Sequence, residues 1–151
     1  MTLLEKILRS RPAGDFPFSE DYAALLTLLE RCATVCVTCA DACLGEKEIA
    51  PLRRCIRLDL DCANVCTTTA RVLVRQREAS ADLTHALLHT CSLACRLCAD
   101  ECGSHAEMHE HCRICSESCR ECQEHCNRLL GETSSSGVAA TATRPEDTAS
   151  S

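Results

Sequence analysis

Residues 32–43 read CATVCVTCADAC, and residues 91–102 read CSLACRLCADEC. In both segments the cysteines follow one another at intervals of four, three and four residues, which is the spacing of one face of an α-helix. A third run follows the same rule at Cys112, Cys115, Cys119, Cys122 and Cys126, and a shorter run consists of Cys55, Cys62 and Cys66. The pattern predicts four helices, each with a stripe of thiols where a soluble bundle normally carries leucines.

The repeat of the cysteine spacing also predicts how the helices are arranged. Each of the two quoted segments is followed by a second cysteine-bearing segment, which gives two α-hairpins with short loops. The expected fold is all-α, an antiparallel up-down-up-down four-helix bundle preceded by a short N-terminal helix. We expect the short helix at residues 2–10 and the bundle at 19–131, with its helices at 19–44, 51–76, 80–103 and 107–130. Gly131 is expected to end the last helix, and the Ser/Thr-rich residues 132–151 to form a disordered tail.

Charge and hydropathy bear on the partners and the compartment. The net charge of −6 argues against nucleic acid, which needs a basic face. We expect no segment of about 18 apolar residues in this chain, and therefore no membrane span. The N-terminal segment does not have the pattern of a signal peptide, which favours the reducing cytoplasm. In that compartment 16 cysteines among 151 residues are typical of metal ligands rather than of disulfides.

The two ends of the predicted bundle differ in the residues that continue the cysteine stripes. One end carries aliphatic residues that we expect to close it: Leu25, Leu29, Leu73, Leu83, Leu88, Leu129 and Leu130. The other end, beside the loops at 45–48 and 103–106, carries His105, Met108, His109 and His111. These are soft or borderline ligands, so this end is the candidate mouth through which metal ions pass.

Thiolates are soft ligands and select Cu(I), Zn(II) or iron–sulfur clusters. Two cysteines at i and i+4 can clamp one ion, and each sulfur can bridge two ions. Two-coordinate Cu(I) with shared sulfurs would give about one ion per cysteine, or ~16 ions per chain. The candidate ligands are the four mouth residues together with Asp59 and all the cysteines: Cys32, Cys36, Cys39, Cys43, Cys55, Cys62, Cys66, Cys91, Cys95, Cys98, Cys102, Cys112, Cys115, Cys119, Cys122 and Cys126.

Asp59 occupies the position that the spacing rule reserves for a cysteine between Cys55 and Cys62. A carboxylate that faces the core needs a partner. Three roles remain open for Asp59: a ligand, a partner for a mouth histidine, or a side chain turned to the rim. His85, His89 and His125 are interpreted as ordinary helix residues.

At these residues the chain resembles the bacterial copper storage proteins, which are cysteine-rich four-helix bundles. The resemblance covers roughly residues 19–130. It rests on the His-Cys-x-x-Cys motif at His111–Cys115 and on the Cys-x-x-x-Cys pairs 32/36, 39/43, 62/66, 91/95, 98/102, 115/119 and 122/126. It implies a cytosolic homotetramer that stores many Cu(I) ions on its cysteines, with histidines at the open end.

The same residues give weaker support to other functions. Zinc or cadmium sequestration, as in a metallothionein, is the nearest alternative, because four helices can each give one sulfur to a tetrahedral site. A thiol-rich redox or disulfide protein is a further alternative. However, a thiol oxidoreductase would place one Cys-x-x-Cys after a strand, and no strand pattern is present. Nothing resembles a substrate pocket with paired acid and base groups, so no enzyme is expected.

Overall fold

The structure is a computed structural model that describes residues 1–12 and 19–137, with side chains described as far as Gly131. Within these residues the regular structure is helical throughout, which confirms the all-α prediction. The elements are α1 (Leu3–Ser10), α2 (Glu20–Leu44), α3 (Arg53–Leu73), α4 (Ala81–Ser104) and α5 (Glu110–Gly137), with a 3₁₀ turn at Ala50–Leu52 before α3.

The thiol contacts show that neighbouring helices run in opposite directions. On α3 and α4, Cys55 faces Cys102, Cys62 faces Cys95 and Cys66 faces Cys91, so the numbers rise on one helix as they fall on the other. The facing pairs of α2 and α5 follow the same rule: 32 with 119, 36 with 115, and 39 with 112. Helices α2 to α5 therefore form an antiparallel bundle around one shared column of sulfur atoms.

Serine and threonine caps set where three helices begin. The Ser19 hydroxyl accepts a hydrogen bond from the backbone N–H of Tyr22 at 3.1 Å, and the Ser80 hydroxyl accepts one from Leu83 at 3.2 Å. At α1, Thr2 and Glu5 form a reciprocal capping box. These caps satisfy backbone N–H groups that have no partner inside their own helix.

Three predicted boundaries differ from the structure by three residues or more. Helix α3 ends at Leu73, earlier than the expected residue 76. Helix α5 begins at Glu110, later than the expected residue 107, and continues through Gly131 to Gly137. Glycine inside an exposed helix costs only about 1 kcal/mol, so without a proline nearby it does not force the helix to end. The prediction that Gly131 ends the helix is therefore wrong. Residues 138–151 of the predicted tail lie outside the described residues.

The aliphatic end of the bundle forms largely as predicted. Leu25, Leu29 and Leu88 are completely buried, Leu73 and Leu130 are buried, and Leu129 is half-buried. Leu83 is 52% exposed, so the prediction that it helps to close this end is wrong. Tyr22 supplies bulk that the sequence pattern did not assign here: its ring is buried and its hydroxyl donates a hydrogen bond to the Leu73 carbonyl oxygen.

Helix α2 is more apolar than the sequence interpretation allowed. It is long enough, and its mean hydropathy of 1.6 over 18 residues is high enough, to cross a membrane. The expectation that the chain has no segment of this length and hydropathy is therefore wrong. In the structure 56% of that window is buried inside the bundle, because its cysteines and leucines face α3 and α5. Burial of this kind is typical of a core helix, so length and hydropathy are weak support for a membrane span.

Candidate metal centre

All sixteen cysteines are buried as free thiols, and none is more than 2% exposed. The period of the helix explains this, because steps of three and four residues keep every thiol of a run on the inward face. The antiparallel arrangement then brings the thiols of four helices to the same heights along the axis. Sulfur atoms consequently lie close together both along and across the helices.

The sulfur–sulfur distances define a continuous network. Within single helices, the Cys32 and Cys36 sulfurs are 3.9 Å apart and those of Cys62 and Cys66 are 3.8 Å apart. Between helices the separations are of the same size, as in the 3.5 Å between Cys36 and Cys119. Every sulfur in such a network is within reach of several others, so neighbouring ions can share it.

The network contains groups of four candidate ligand atoms that all lie within 4.8 Å of one another. The groups overlap along the axis: Cys32, Cys66, Cys95, Cys122; Cys32, Cys36, Cys62, Cys119; Cys36, Cys98, Cys115, Cys119; Cys39, Asp59, Cys102, Cys115; and Cys39, Cys43, Cys112, His111. Because several cysteines each belong to two groups, the groups cannot all act as separate tetrahedral sites. Shared sulfurs favour a polynuclear cluster with bridging thiolates.

Burial raises the pKa of two of these thiols before metal arrives. The pKa of Cys43 rises to about 11. The pKa of Cys112 is likewise raised above its ordinary value. At these two cysteines burial favours the neutral thiol, which must lose its proton when it becomes a metal ligand.

Asp59 lies inside the thiol column and is completely buried. The thiols of Cys98, Cys115 and Cys102 donate to its Oδ1 at 3.1, 3.2 and 3.3 Å. The Cys55 thiol approaches Oδ2 at 3.8 Å. Burial is the main cause that raises the pKa of Asp59 to about 8. Of the three roles left open by the sequence, the position at the rim is excluded, and the partners of the carboxyl are thiols.

Histidine 111 connects the thiol column to the surface. Its Nδ1 atom lies 3.5 Å from the sulfurs of both Cys39 and Cys112. Its Nε2 atom lies 3.1 Å from Oε1 of Glu46. A carboxylate can only accept a hydrogen bond, so Nε2 carries the hydrogen and the Nδ1 lone pair faces the thiols. This is the tautomer that a metal ligand at Nδ1 requires.

The other predicted mouth residues lie around His111 in different environments. His109 stacks on His111, with ring centroids 5.4 Å apart, and its Nδ1 is 3.3 Å from the same Glu46 oxygen. His105 pairs with Glu101 at 3.2 Å. Met108 is 82% exposed, so its sulfur lies away from the thiol column. The structure thus brings His111 into the ligand network, with His109 beside it.

Sequence reasoning missed Glu46, although a signal was present. Glu46 follows the glycine that ends α2, in a loop predicted to lie beside the histidine loop. A carboxylate in such a position is the usual partner for a ligating histidine. Its pKa is held below the ordinary value by the hydrogen bond from His111, so Glu46 places a negative charge at this end of the column.

A family model described as the copper storage protein, Csp, matches residues 18–131. The chain belongs to the copper storage protein family. That match agrees with the resemblance drawn from the cysteine pairs, and it spans the whole bundle from α2 into α5.

Solved structures of copper storage proteins show the same fold. The copper storage protein Ccsp from Streptomyces lividans, loaded with 10 copper equivalents, is 46% identical to this chain, with a TM-score of 0.82. The match covers 85% of this chain and 98% of that one. A Cu(I)-bound copper storage protein, BsCsp3, is 29% identical with a TM-score of 0.65, over 74% of this chain and 99% of that one.

A curated relative is similar in sequence. The uncharacterized cysteine-rich protein YhjQ of Bacillus subtilis is 32% identical over 98 residues, which is 65% of this chain and 85% of that protein.

A further structure, described as a cytosolic copper storage protein from Streptomyces lividans with five coppers, is 50% identical with a TM-score of 0.73. It covers 74% of this chain and 93% of the other.

Proposed function

We propose that this protein stores copper in the cell by holding many Cu(I) ions on the thiolates inside the bundle. The observation that carries the proposal is the buried column of sixteen free thiols, whose sulfurs lie as close as 3.3–4.0 Å across and along the helices. Copper is the cargo here, and the chemistry is binding and release without catalysis. Membership of the copper storage family and copper-loaded structures of similar proteins support this function.

Proton exchange explains how a buried core can accept so much positive charge. Each Cu⁺ that enters replaces one thiol proton, so filling the column adds no net charge to the interior. An unpaired buried ion would cost several kcal/mol, and one-for-one exchange avoids that cost. Asp59 contributes one further proton and one oxygen ligand at the height of Cys98, Cys102 and Cys115.

We infer that ions enter and leave at the histidine end. His111 faces Cys39 and Cys112, and Glu46 holds its Nδ1 lone pair toward them, so an arriving ion meets a nitrogen and two sulfurs. His109, His105 and the exposed Met108 are assigned as donors that an ion contacts earlier. The opposite end offers Leu25, Leu29 and Leu73, which have no ligand atoms.

The cellular setting and the assembly are part of the same proposal. Free thiols persist in a reducing compartment, which supports the cytoplasm, and a similar Streptomyces lividans protein is described as cytosolic. We propose residues 1–131 as the functional unit and a homotetramer as the assembly. Exposed apolar side chains such as Leu60, Leu93 and Ile114 offer surface for such contacts. We propose no nucleic-acid partner, because the net charge is −6, and no membrane partner, because most of the apolar window of α2 is buried in the bundle.

The proposal is tested by an anaerobic Cu(I) titration of the reduced protein against a competing chelator. The expected plateau is near one ion per cysteine, or ~16 per chain, by the bridging count. Replacing Cys62 and Cys66 with Ser should lower the plateau by about two ions. Replacing the exposed Thr67 and Thr68 on the same helix with Ala should leave it unchanged.

The same titration also tests zinc or cadmium sequestration, the second candidate function. It is favoured by one observation, the groups of four sulfurs at separations suited to a tetrahedral ion. A plateau at about four ions or fewer, or displacement of Cu(I) by Zn(II), would support that candidate and contradict copper storage.

A further inference from the structure

Two histidines on α4 form a close pair outside the thiol column. His85 and His89 are one helical turn apart, and their Nε2 atoms lie 3.1 Å from each other. The rings stack with centroids 4.8 Å apart and an interplanar angle of 27°. His89 is exposed and His85 is half-buried, so solvent and ions reach the pair.

The pair lies far from the mouth of the storage column. Leu88, between the two histidines in sequence, points into the closed end of the bundle and is completely buried. His105, the nearest mouth residue on the same helix, is sixteen residues beyond His89, which is ~24 Å at 1.5 Å per residue. An ion held by His85 and His89 therefore cannot contact the mouth histidines of the same chain.

We propose that His85 and His89 chelate a divalent first-row cation such as Ni(II), Cu(II) or Zn(II) at the protein surface. Metal–imidazole bonds are about 2.0–2.1 Å long, so two nitrogens on one ion lie roughly 2.9–3.4 Å apart for angles between a right angle and the tetrahedral angle. The Nε2–Nε2 distance of 3.1 Å falls inside that range. The two side chains are thus already spaced as a bidentate ligand.

The protons balance without an outside base. In the metal-free pair one Nε2–H donates to the other Nε2, so the single Nε2 lone pair is occupied by that hydrogen bond. A tautomer shift moves that hydrogen to Nδ1 of the same ring, and both Nε2 lone pairs then face the ion. Water fills the remaining coordination positions.

The chemistry separates this site from the thiol column. Imidazole suits the borderline ions Ni(II), Cu(II) and Zn(II), whereas thiolates select soft Cu(I). The chain's net charge of −6 favours the arrival of a cation. The surface site therefore takes a different oxidation state and class of ion from those of the stored cargo.

The test uses Cu(I)-loaded protein under anaerobic conditions, so that the thiols are occupied, and Ni(II) as the probe, because it does not oxidise thiolates. Calorimetric titration of the wild type should show one Ni(II) per chain. His85→Gln combined with His89→Gln should abolish that binding. Either single variant should weaken it by about tenfold or more, since two linked ligands hold an ion far better than one.

A control variant keeps the result interpretable. His125→Gln should bind Ni(II) as the wild type does, because His125 is a single imidazole whose Nδ1 donates to the Glu121 carbonyl oxygen at 3.0 Å. Equal binding by the wild type and the His85/His89 double variant, or loss of binding in His125→Gln, would overturn the proposal. Helical circular dichroism checks that each variant is folded.

Discussion

The metal-free protein should lose stability as the pH rises, because of the Asp59 carboxyl. Replacing Asp59 with Asn should remove that dependence on pH. The carboxyl is completely buried among the thiols of Cys98, Cys102 and Cys115. Burial raises its pKa to about 8 from an ordinary value of 3.8. The folded state therefore binds a proton that the unfolded state has lost, so the stabilisation present below the ordinary pKa disappears as the pH rises toward 8.

The size of the effect follows from proton linkage. One proton of difference between the folded and unfolded states changes the free energy of unfolding by about 1.4 kcal/mol per pH unit. Between about pH 5 and about pH 7.5 the wild type should thus lose roughly 3 kcal/mol through Asp59 alone. Asn has the same shape and no proton to lose. Its amide donors find only weak sulfur acceptors, which costs about 1–3 kcal/mol at every pH, so the slope carries the prediction.

The measurement is urea unfolding of the reduced, metal-free protein at several pH values between about 5 and 7.5, followed by the helical circular dichroism signal. Asp61→Asn is the matched control, because Asp61 is two residues away on the same helix and exposed. It should keep the pH slope of the wild type, and all three proteins contain the same six histidines. If Asp59→Asn shows the same slope as the wild type, the buried carboxyl does not hold a proton in this range.

Three further predictions concern the core, the mouth and the closed end. Reduced metal-free protein should give a helical far-ultraviolet circular dichroism spectrum, because buried thiols and leucines already form a core; a random-coil spectrum that becomes helical only with Cu(I) would contradict this. Replacing His109 and His111 with Gln should slow Cu(I) loading and chelator-driven removal while changing capacity by only about one or two ions. If these Cu(I) rates are unchanged in the histidine variant, while bulky groups placed at the leucine end slow Cu(I) uptake, then the ions enter at the leucine end instead. Leu29→Ala should lower the unfolding free energy by about 2–5 kcal/mol, as unfolding by urea would show, whereas exposed Leu83→Ala should change it by less than about 0.5 kcal/mol.

The bundle and its thiol column were predictable because a single periodicity decides both. Intervals of three and four residues place Cys32 and Cys43 on one helix face. A stripe of apolar cysteines makes packing contacts only where it faces another helix. Burial of the four stripes against one another therefore follows from the sequence. Their antiparallel order follows from the short connections between consecutive helices.

The features that sequence reasoning missed depend on tertiary contacts that no local pattern contains. Gly131 has a strong preference for helix ends, yet nothing around it requires the chain to turn, and α5 continues. Leu83 shares the spacing of the closed end but lies in the first turn of α4, where it is exposed. Asp59 was placed at the correct position along the column. However, its thiol partners depend on where α4 and α5 pass, which only the structure shows.

The mouth illustrates why a carboxylate belongs beside a histidine in a column built for soft ions. A neutral imidazole alone can turn either nitrogen toward the thiols, and only the Nδ1 lone pair of His111 lies 3.5 Å from both sulfurs. Glu46 accepts from Nε2 and so fixes the useful tautomer, and its negative charge also attracts the cation. Because oxygen is a hard ligand, Glu46 does not compete with the thiolates for Cu(I). On the proposed route, charge would draw the ion to this end of the bundle and ligand preference would transfer it to sulfur, which supports the assignment of this end as the mouth.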